Sequence, residues 1–454
     1  MTRKLITLLV TALLISSQRL AAQEKTALDA YIEEGIAHNL VLQQKNVSLE
    51  KAMAGLQEAK MLFLPKIDLA AGFLSGKGGR SIDVPVGDML NPVYSTLNFL
   101  TQMDLFPQIE NVQQYFLPRN QADVHIRTSI PIYHSDIIHN RNIQEQQHFL
   151  KAIEVETYKR ELVLQIKQAY FQYLMALENV SIYQEAQRLV QQNVRVNESL
   201  LENGKGLPAR VLRAQTELEQ VMAQFNTATL QAKNAQAYFN FLLNKPLDAG
   251  ILTTYNAKEE IGNILATTTQ LGTTQREELK MINTGKLIHE TRYKMQKQLF
   301  TPKVSAFADL GAQAERFKFR DNSLYYLIGV QVDMPIFNRP QKYKLQQTRI
   351  DVRLTELQLD QTKQQLDLAL EMAQNELRTA VTNYQQAIRQ YESAASYFRL
   401  IDRGYQEGIH SLIEYIDARN QLTTTQTLVN IHTYKVLQSA AAVERQAATY
   451  PISN

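Results

Sequence analysis

The sequence predicts an α+β membrane protein: a trimeric 12-stranded transmembrane β-barrel, four strands from each chain, continued by a long α-helical coiled-coil tunnel. Three observations carry that prediction. Two very long helical runs keep three-four apolar spacing, four short segments alternate with period two, and the chain repeats itself at a nearly constant offset.

The chain has 454 residues with only 17 Gly and 12 Pro, few for separate domains joined by linkers, so one continuous architecture is expected. Its first 22 residues read as a cleaved export signal. Arg3 and Lys4 precede an apolar stretch from Leu5 to Ile15, and Leu20-Ala21-Ala22 offers small residues for processing before Gln23. That apolar stretch is short of the ~20 residues of a spanning helix, and no later window supplies them. Without the basic residues of that segment (Arg3, Lys4, Arg19) the remaining charges balance, which gives no electrostatic footprint for nucleic acid. Zero cysteine excludes disulfides, thiolate metal sites, a cysteine nucleophile and a lipid-modified N-terminal cysteine. An exported chain of this kind is periplasmic, secreted, or held in a membrane by a β-barrel.

Residues 23–454 read as one protomer built of two structural repeats, about 23–243 and 273–448. Leu64-Pro65-Lys66-Ile67 recurs as Thr301-Pro302-Lys303-Val304, and Pro131-Ile132-Tyr133 as Pro335-Ile336-Phe337. Asn203-Gly204 with Leu212, Ala214 and Leu218 recurs as Glu407-Gly408 with Ile416, Ala418 and Leu422. The offset is 204 for the last two and 237 for the first, so the first repeat carries 33 extra residues. They fall in Gly76 to Asn120, read as a long extracellular loop that Pro85, Pro92, Pro107 and Pro118 keep non-helical. Its apolar residues would plug the barrel mouth or pack on a neighbouring loop.

A helix is expected from about Thr26 to Phe63, then strands at about 66–75, 122–132, 303–315 and 324–336. In each strand an apolar face alternates with a second, mostly more polar one; between Ala122 and Ile132, Val124, Ile126, Ile130 and Ile132 oppose Asp123, His125, Arg127 and Ser129. About 9–11 tilted residues cross a bilayer, but four strands cannot close a barrel, and an open edge in lipid would leave backbone groups unpaired. Three chains close it. The long runs, about Ser135 to Asn203 and Asn338 to Arg403, are each roughly 100 Å at ~1.5 Å per residue. Their seams include Leu162, Ile166, Ala169 and Tyr173 in the first and Leu377, Val381, Tyr384 and Ile388 in the second. Each run ends at a glycine turn and returns, over about Ala209 to Leu243 and Leu412 to Glu444, as an antiparallel hairpin. Residues 244–272 break the helical pattern as an equatorial segment.

With these features the chain resembles the TolC-like outer membrane efflux family over essentially its whole mature length. The resemblance rests on Ala37, Asn39 and Leu40 in the first helix, Leu64-Pro65, the strand pairs, both turns, and above all Gly404-Tyr405-Gln406-Glu407-Gly408-Ile409-His410-Ser411-Leu412-Ile413-Glu414-Tyr415-Ile416-Asp417-Ala418-Arg419. It implies a homotrimeric duct in outer membrane lipid with a periplasmic tunnel, engaged by a periplasmic adaptor (membrane fusion) protein and an inner-membrane transporter. It also implies a periplasmic tip that closes as an iris. Tyr405, His410, Glu414 and Asp417 match the family's tip positions, and Arg210 stands where an acid is expected, pointing to Arg210 salt bridges with Glu414 or Asp417 between hairpins. The turn residues Gly204, Lys205, Gly206, Leu207, Gly408, Ile409, His410 and Ser411 are the expected adaptor contacts.

Glu414 and Asp417 share a helix face, so a trimer would stack two rings of three carboxylates and raise the pKa of some of them. The same acids at a helix start would simply favour its N-terminus. No metal-ligand spacing, phosphate loop or nucleophile-base set is present in the sequence, so neither cofactor nor enzymatic activity is expected. The competing function is a soluble periplasmic coiled-coil adaptor or scaffold, which would not fractionate with the outer membrane.

Overall fold

The computed structural model describes residues 26–116, 120–266 and 272–452; the export signal expected over 1–22 lies outside them, as do 267–271 of the equatorial segment. Two helices, α1 (Ala27–His38) and α2 (Leu40–Met61), lead into β1 (Lys66–Leu74). Then come β2 (Ser81–Val84), α3 (Val86–Thr101), β3 (Val112–Tyr115) and β4 (Gln121–Tyr133). The first long hairpin is α4 (Ser135–Glu202) and α5 (Pro208–Leu242), followed by α6 (Ala257–Ala266) and α7 (Glu277–Lys297). After β5 (Lys303–Glu315), a 3-10 turn and β6 (Leu324–Asp333), the second hairpin is α8 (Pro340–Gln406) and α9 (Leu412–Ala447). No described helix is long and apolar enough to cross a membrane.

The chain forms two compact units. One combines the described residues of Met1–Met53, Gln146–His289 and Ile350–Asn454. Its core gathers Ile32, Leu42, Leu162, Ile166, Tyr170, Phe239, Leu243, Val436 and Leu437, all nearly inaccessible. Asn39 breaks α1 from α2: its Oδ1 accepts from Leu42 N at 3.0 Å as a helix cap, and its Nδ2 donates to the Leu242 carbonyl at 2.9 Å. That residue, read from sequence as part of the family pattern, therefore positions the chain entry against the end of α5. Tyr170 Oη donates to the Leu252 carbonyl (2.9 Å) and Leu252 N to Tyr31 Oη (2.8 Å), tying the equatorial segment to the same core.

The most buried stripe of α8 is not the one with the largest side chains. Ala380, Ala387, Ala394 and Ile401 recur every seven residues and are almost fully buried, while Leu377, Tyr384, Tyr391 and Phe398 beside them are half-buried. Small residues let helix backbones approach closely, and a strict seven-residue repeat imposes a left-handed supercoil.

At the start of α7, Glu278 receives Arg276 (Nε at 2.9 Å, Nη2 at 2.7 Å) and Arg445 Nη2 (2.9 Å) from α9. Burial opposes ionisation most strongly, yet the hydrogen bonds from Arg276 and Arg445 carry the Glu278 carboxyl down to about 2. A carboxyl lowered on folding stabilises above its unfolded value and loses that contribution as pH falls through the folded one. Acidification from about 4.5 towards 2 is therefore expected to release about 2 kcal/mol, after discounting for solvent screening. Protection of the first turn of α7 against hydrogen exchange, taken relative to the intrinsic rate at each pH, should fall across that window in the parent, and less in Glu278→Gln.

The second unit (Ala54–Glu145, Glu290–Arg349) holds a four-stranded antiparallel sheet in the order β1-β4-β5-β6. Its register aligns Leu69, Ile126, Leu310 and Tyr326 across all four strands, and Asp68, Arg127, Asp309 and Leu327 on the opposite face. The first face is apolar and exposed, with Ile67, Leu69, Leu310, Ile328 and Val330 all above 60% accessible. On the polar face Arg127 forks onto Asp309 (2.7 and 2.6 Å) and lies over the Phe307 ring. Tyr325 also belongs there, its hydroxyl donating to Asp123 Oδ1 at 2.9 Å.

The excursion from Gly76 to Asn120 corrects the sequence expectation. It is not a non-helical loop but a β2–β3 hairpin enclosing the 16-residue helix α3, with Pro92 inside it. Pro85 occupies the N-cap, where a missing N–H costs nothing. The bond lost at Pro92 is outweighed by the returning segment, which clamps one face of α3. Asn91 exchanges two bonds with Ile109 (both 2.9 Å), and Asn98 two with Phe106 (2.9 and 3.0 Å). Asn111 bonds both the backbone N and the carboxylate of Asp88.

Candidate functional site

Both hairpins turn by the same backbone device. Gly204 (φ 71°) and Gly408 (φ 77°) take the left-handed position after each helix. Lys205 N then donates to the Leu200 carbonyl at 2.8 Å and Ile409 N to the Gly404 carbonyl at 2.7 Å, the six-to-one bond of a Schellman motif. A side chain at 204 or 408 other than Gly would be strained there. Gly206 closes the first turn in half-buried surroundings. Leu207 and Ile409 project from the turns at 61% and 72% accessibility.

Ser411 caps α9. Its Oγ accepts from Glu414 N at 3.3 Å, while the Glu414 carboxylate accepts from Ser411 N at 2.7 Å, a reciprocal capping box. His410 packs over Gly404, where a Cβ would collide with its ring, and its Nδ1 stands 3.6 Å from Glu414 Oε1. Within the chain the Glu414 carboxyl is held below its ordinary value by the Ser411 backbone and side chain and by His410. Within one chain these contacts match the helix-start role, while a ring of carboxylates is a property of three chains together. Asp417 lies exposed on the same face. Arg210 is exposed as well, and among the described residues it makes no ion pair with Glu414, Asp417 or any other acid of its chain.

The contacts that do join the hairpins lie deeper. Asn197 of α4, buried, donates from Nδ2 to Tyr405 Oη of α8 at 3.1 Å and to the Asn193 carbonyl at 2.9 Å. Tyr405 stacks on Tyr415 with centroids 4.9 Å apart, beside Phe398 and Ile401. Burial pushes the Tyr415 hydroxyl up to about 12. Beyond it, Arg419 of α9 pairs with Glu217 of α5, both at most 2% accessible. Asn420 Nδ2 adds a bond to Glu217 at 3.0 Å, and Arg213 approaches it at 3.7 Å from the surface. Burial lowers the Arg419 pKa more than Glu217 raises it.

The structure thus brings Tyr405, His410 and Glu414 to one tip and leaves Arg210 apart from the acids. Sequence reasoning missed Asn197 and Glu217, and it quoted Arg419 only as the end of the family stretch, without its partner. A signal existed: Glu217 follows Val211 and Ala214 and precedes Val221 at three-four spacing, so an acid occupies a core position.

The family described as outer membrane efflux protein matches residues 31–245 and 289–448, most of the chain. No curated protein matches the sequence. Among solved structures, the fold is similar to the Campylobacter jejuni CmeC outer membrane channel, with TM-score 0.73 and 17% identity over 92% of this chain and 85% of that one. It is also similar to the open state of the Neisseria gonorrhoeae MtrE outer membrane channel (0.72, 12%, 92% and 88%). The Vibrio cholerae outer membrane protein VceC gives 0.69 and 13% over 92% and 95%. At these identities the likeness shows a shared fold, and the family match sets aside the soluble scaffold. The chain belongs to the outer membrane efflux protein family, and with that family it lies in the outer membrane and extends into the periplasm.

Proposed function

We propose that three copies of the chain form a passive exit duct, receiving substrates from an inner-membrane pump through a periplasmic adaptor, in tripartite efflux or type I secretion. One observation carries this reading. The four-stranded sheet has an exposed apolar face, and β1 and β6 are edges that pair with nothing in the chain among the described residues. An open edge in lipid costs several kcal/mol per unpaired group, and joining β1 of one copy to β6 of the next removes every edge at 12 strands. Light scattering of the detergent-extracted outer-membrane protein should give about three times the mass of one chain; a monomer overturns the duct.

The hairpin ends form its periplasmic gate. Asn197–Tyr405 and Glu217–Arg419 bind the two hairpins of a chain into one body. Glu414 and Asp417 ring the opening, and Arg210 reaches the acids of a neighbouring copy. The exposed Leu207 and Ile409, with the other turn residues, meet the adaptor. Tyr405→Phe keeps the ring on Tyr415 but deletes the bond to Asn197, a loss of about 0.5–1.5 kcal/mol. Closed-state conductance of reconstituted trimers is expected to rise; an unchanged conductance removes this contact from the gate.

A further inference from the structure

Helix α3 is amphipathic the wrong way round for a helix of an isolated chain. Its polar side, Asp88, Asn91, Ser95 and Asn98, is bonded to residues 106–111 of its own chain, with Asn91 and Asn98 half-buried beneath them. Its other side exposes Met89 and Leu100 at 70% each and Val93 at 51%. With Thr96 between them, these residues step by four, three and four, the spacing of a helix–helix seam. An exposed apolar stripe of this length asks for a cover.

Charge and position select the cover. Helices that lie on membranes carry Lys and Arg on their polar face. From Ser81 to Pro118 there is no Lys or Arg, and the acids are Asp83, Asp88, Asp104 and Glu110, which disfavours an anionic lipid surface. The seam itself is uncharged and fits a seam of the same kind. The excursion leaves the sheet from β1, the edge strand, where the trimer reading places the next copy. It also joins β1 to β4 at the strand ends remote from α2 and α4, the outer end of the barrel. Twelve strands ~4.8 Å apart and tilted ~40° enclose a radius of about 12 Å, and a 16-residue helix is about 24 Å long, so α3 reaches the axis.

We propose that α3 of three copies packs through Met89, Val93, Thr96 and Leu100 into a short three-helix seam, an apolar lid over the outer mouth. The inference rests on the trimeric duct. Tethering to one barrel holds the three helices at high effective concentration, so a seam of three turns suffices.

The parent has no cysteine, so each introduced thiol is unique. Val93→Cys, Leu100→Cys and Ser95→Cys would be made in the full chain, isolated as outer-membrane trimers, and treated with a short bis-maleimide. Cross-linked pairs of chains are expected at 93 and 100 and not at 95, which faces the clamp. Adding V93Q and L100Q to Met89→Cys should lower cross-linking tenfold or more with the trimer mass unchanged. Equal cross-linking at all three positions, or none in intact trimers, overturns the lid. A bimane on Val93→Cys quenched by nitroxide-labelled lipid also overturns it, in favour of the bilayer. A monomeric mass instead overturns the duct reading and the lid with it.

Discussion

Arg419→Met is expected to destabilise the hairpin tips by about 3–5 kcal/mol, since it strands a buried carboxylate. Glu217 is 2% accessible and would keep only Asn420 Nδ2 at 3.0 Å and Arg213 at 3.7 Å, the latter from a largely exposed side chain. Glu217→Leu strands the guanidinium instead, at a comparable cost. The double variant E217L/R419M replaces both ions by apolar groups of similar volume and is expected to lie within about 1 kcal/mol of the parent, because the desolvation penalty vanishes along with the attraction. A double-mutant cycle by thermal unfolding of the trimer measures the coupling. Additive single costs would mean that the two residues do not act as a pair, and the gate would lose its deeper latch.

The strands and long helices were legible because their periods are local: Val124, Ile126 and Ile130 alternate whatever lies opposite them, and the register then sets all four apolar faces on one side. The turns were legible for the same reason, as Gly204 and Gly408 meet a requirement of the backbone at their own positions. What the sequence hid depends on partners far along the chain. Pro85 and Pro92 read as helix breakers until Asn98 and Asn111, bonded across the turn, show how α3 is held. The deepest stripe of α8 was hidden by size, since Ala380, Ala387 and Ala394 look unremarkable beside the larger residues that flank them. At the tip, Glu414 opens α9 in the way the helix-start reading expects, whereas the ring reading concerns three chains together and lies outside what one chain displays. The pair Glu217–Arg419 joins residues 202 apart, beyond the reach of any spacing rule.

Ile328→Arg is expected to abolish assembly in the outer membrane. Ile328 stands mid-strand in β6 on the continuous apolar face and is 74% accessible in the chain. An arginine near the bilayer midplane costs about 2–4 kcal/mol, and a threefold duct carries three, so about 6–12 kcal/mol falls on each trimer, comparable to the whole stability of many domains. Gln331→Arg, three residues on and across the sheet, adds the same charge to the face that already holds Arg127 and Asp309. It is expected to leave assembly intact and to shift ion selectivity towards anions. Urea extraction of isolated outer membranes separates the two: the chain with Ile328→Arg should wash out while that with Gln331→Arg stays. Equal retention would mean that the alternation does not divide lipid from lumen. The apolar face would then need a protein partner to cover it.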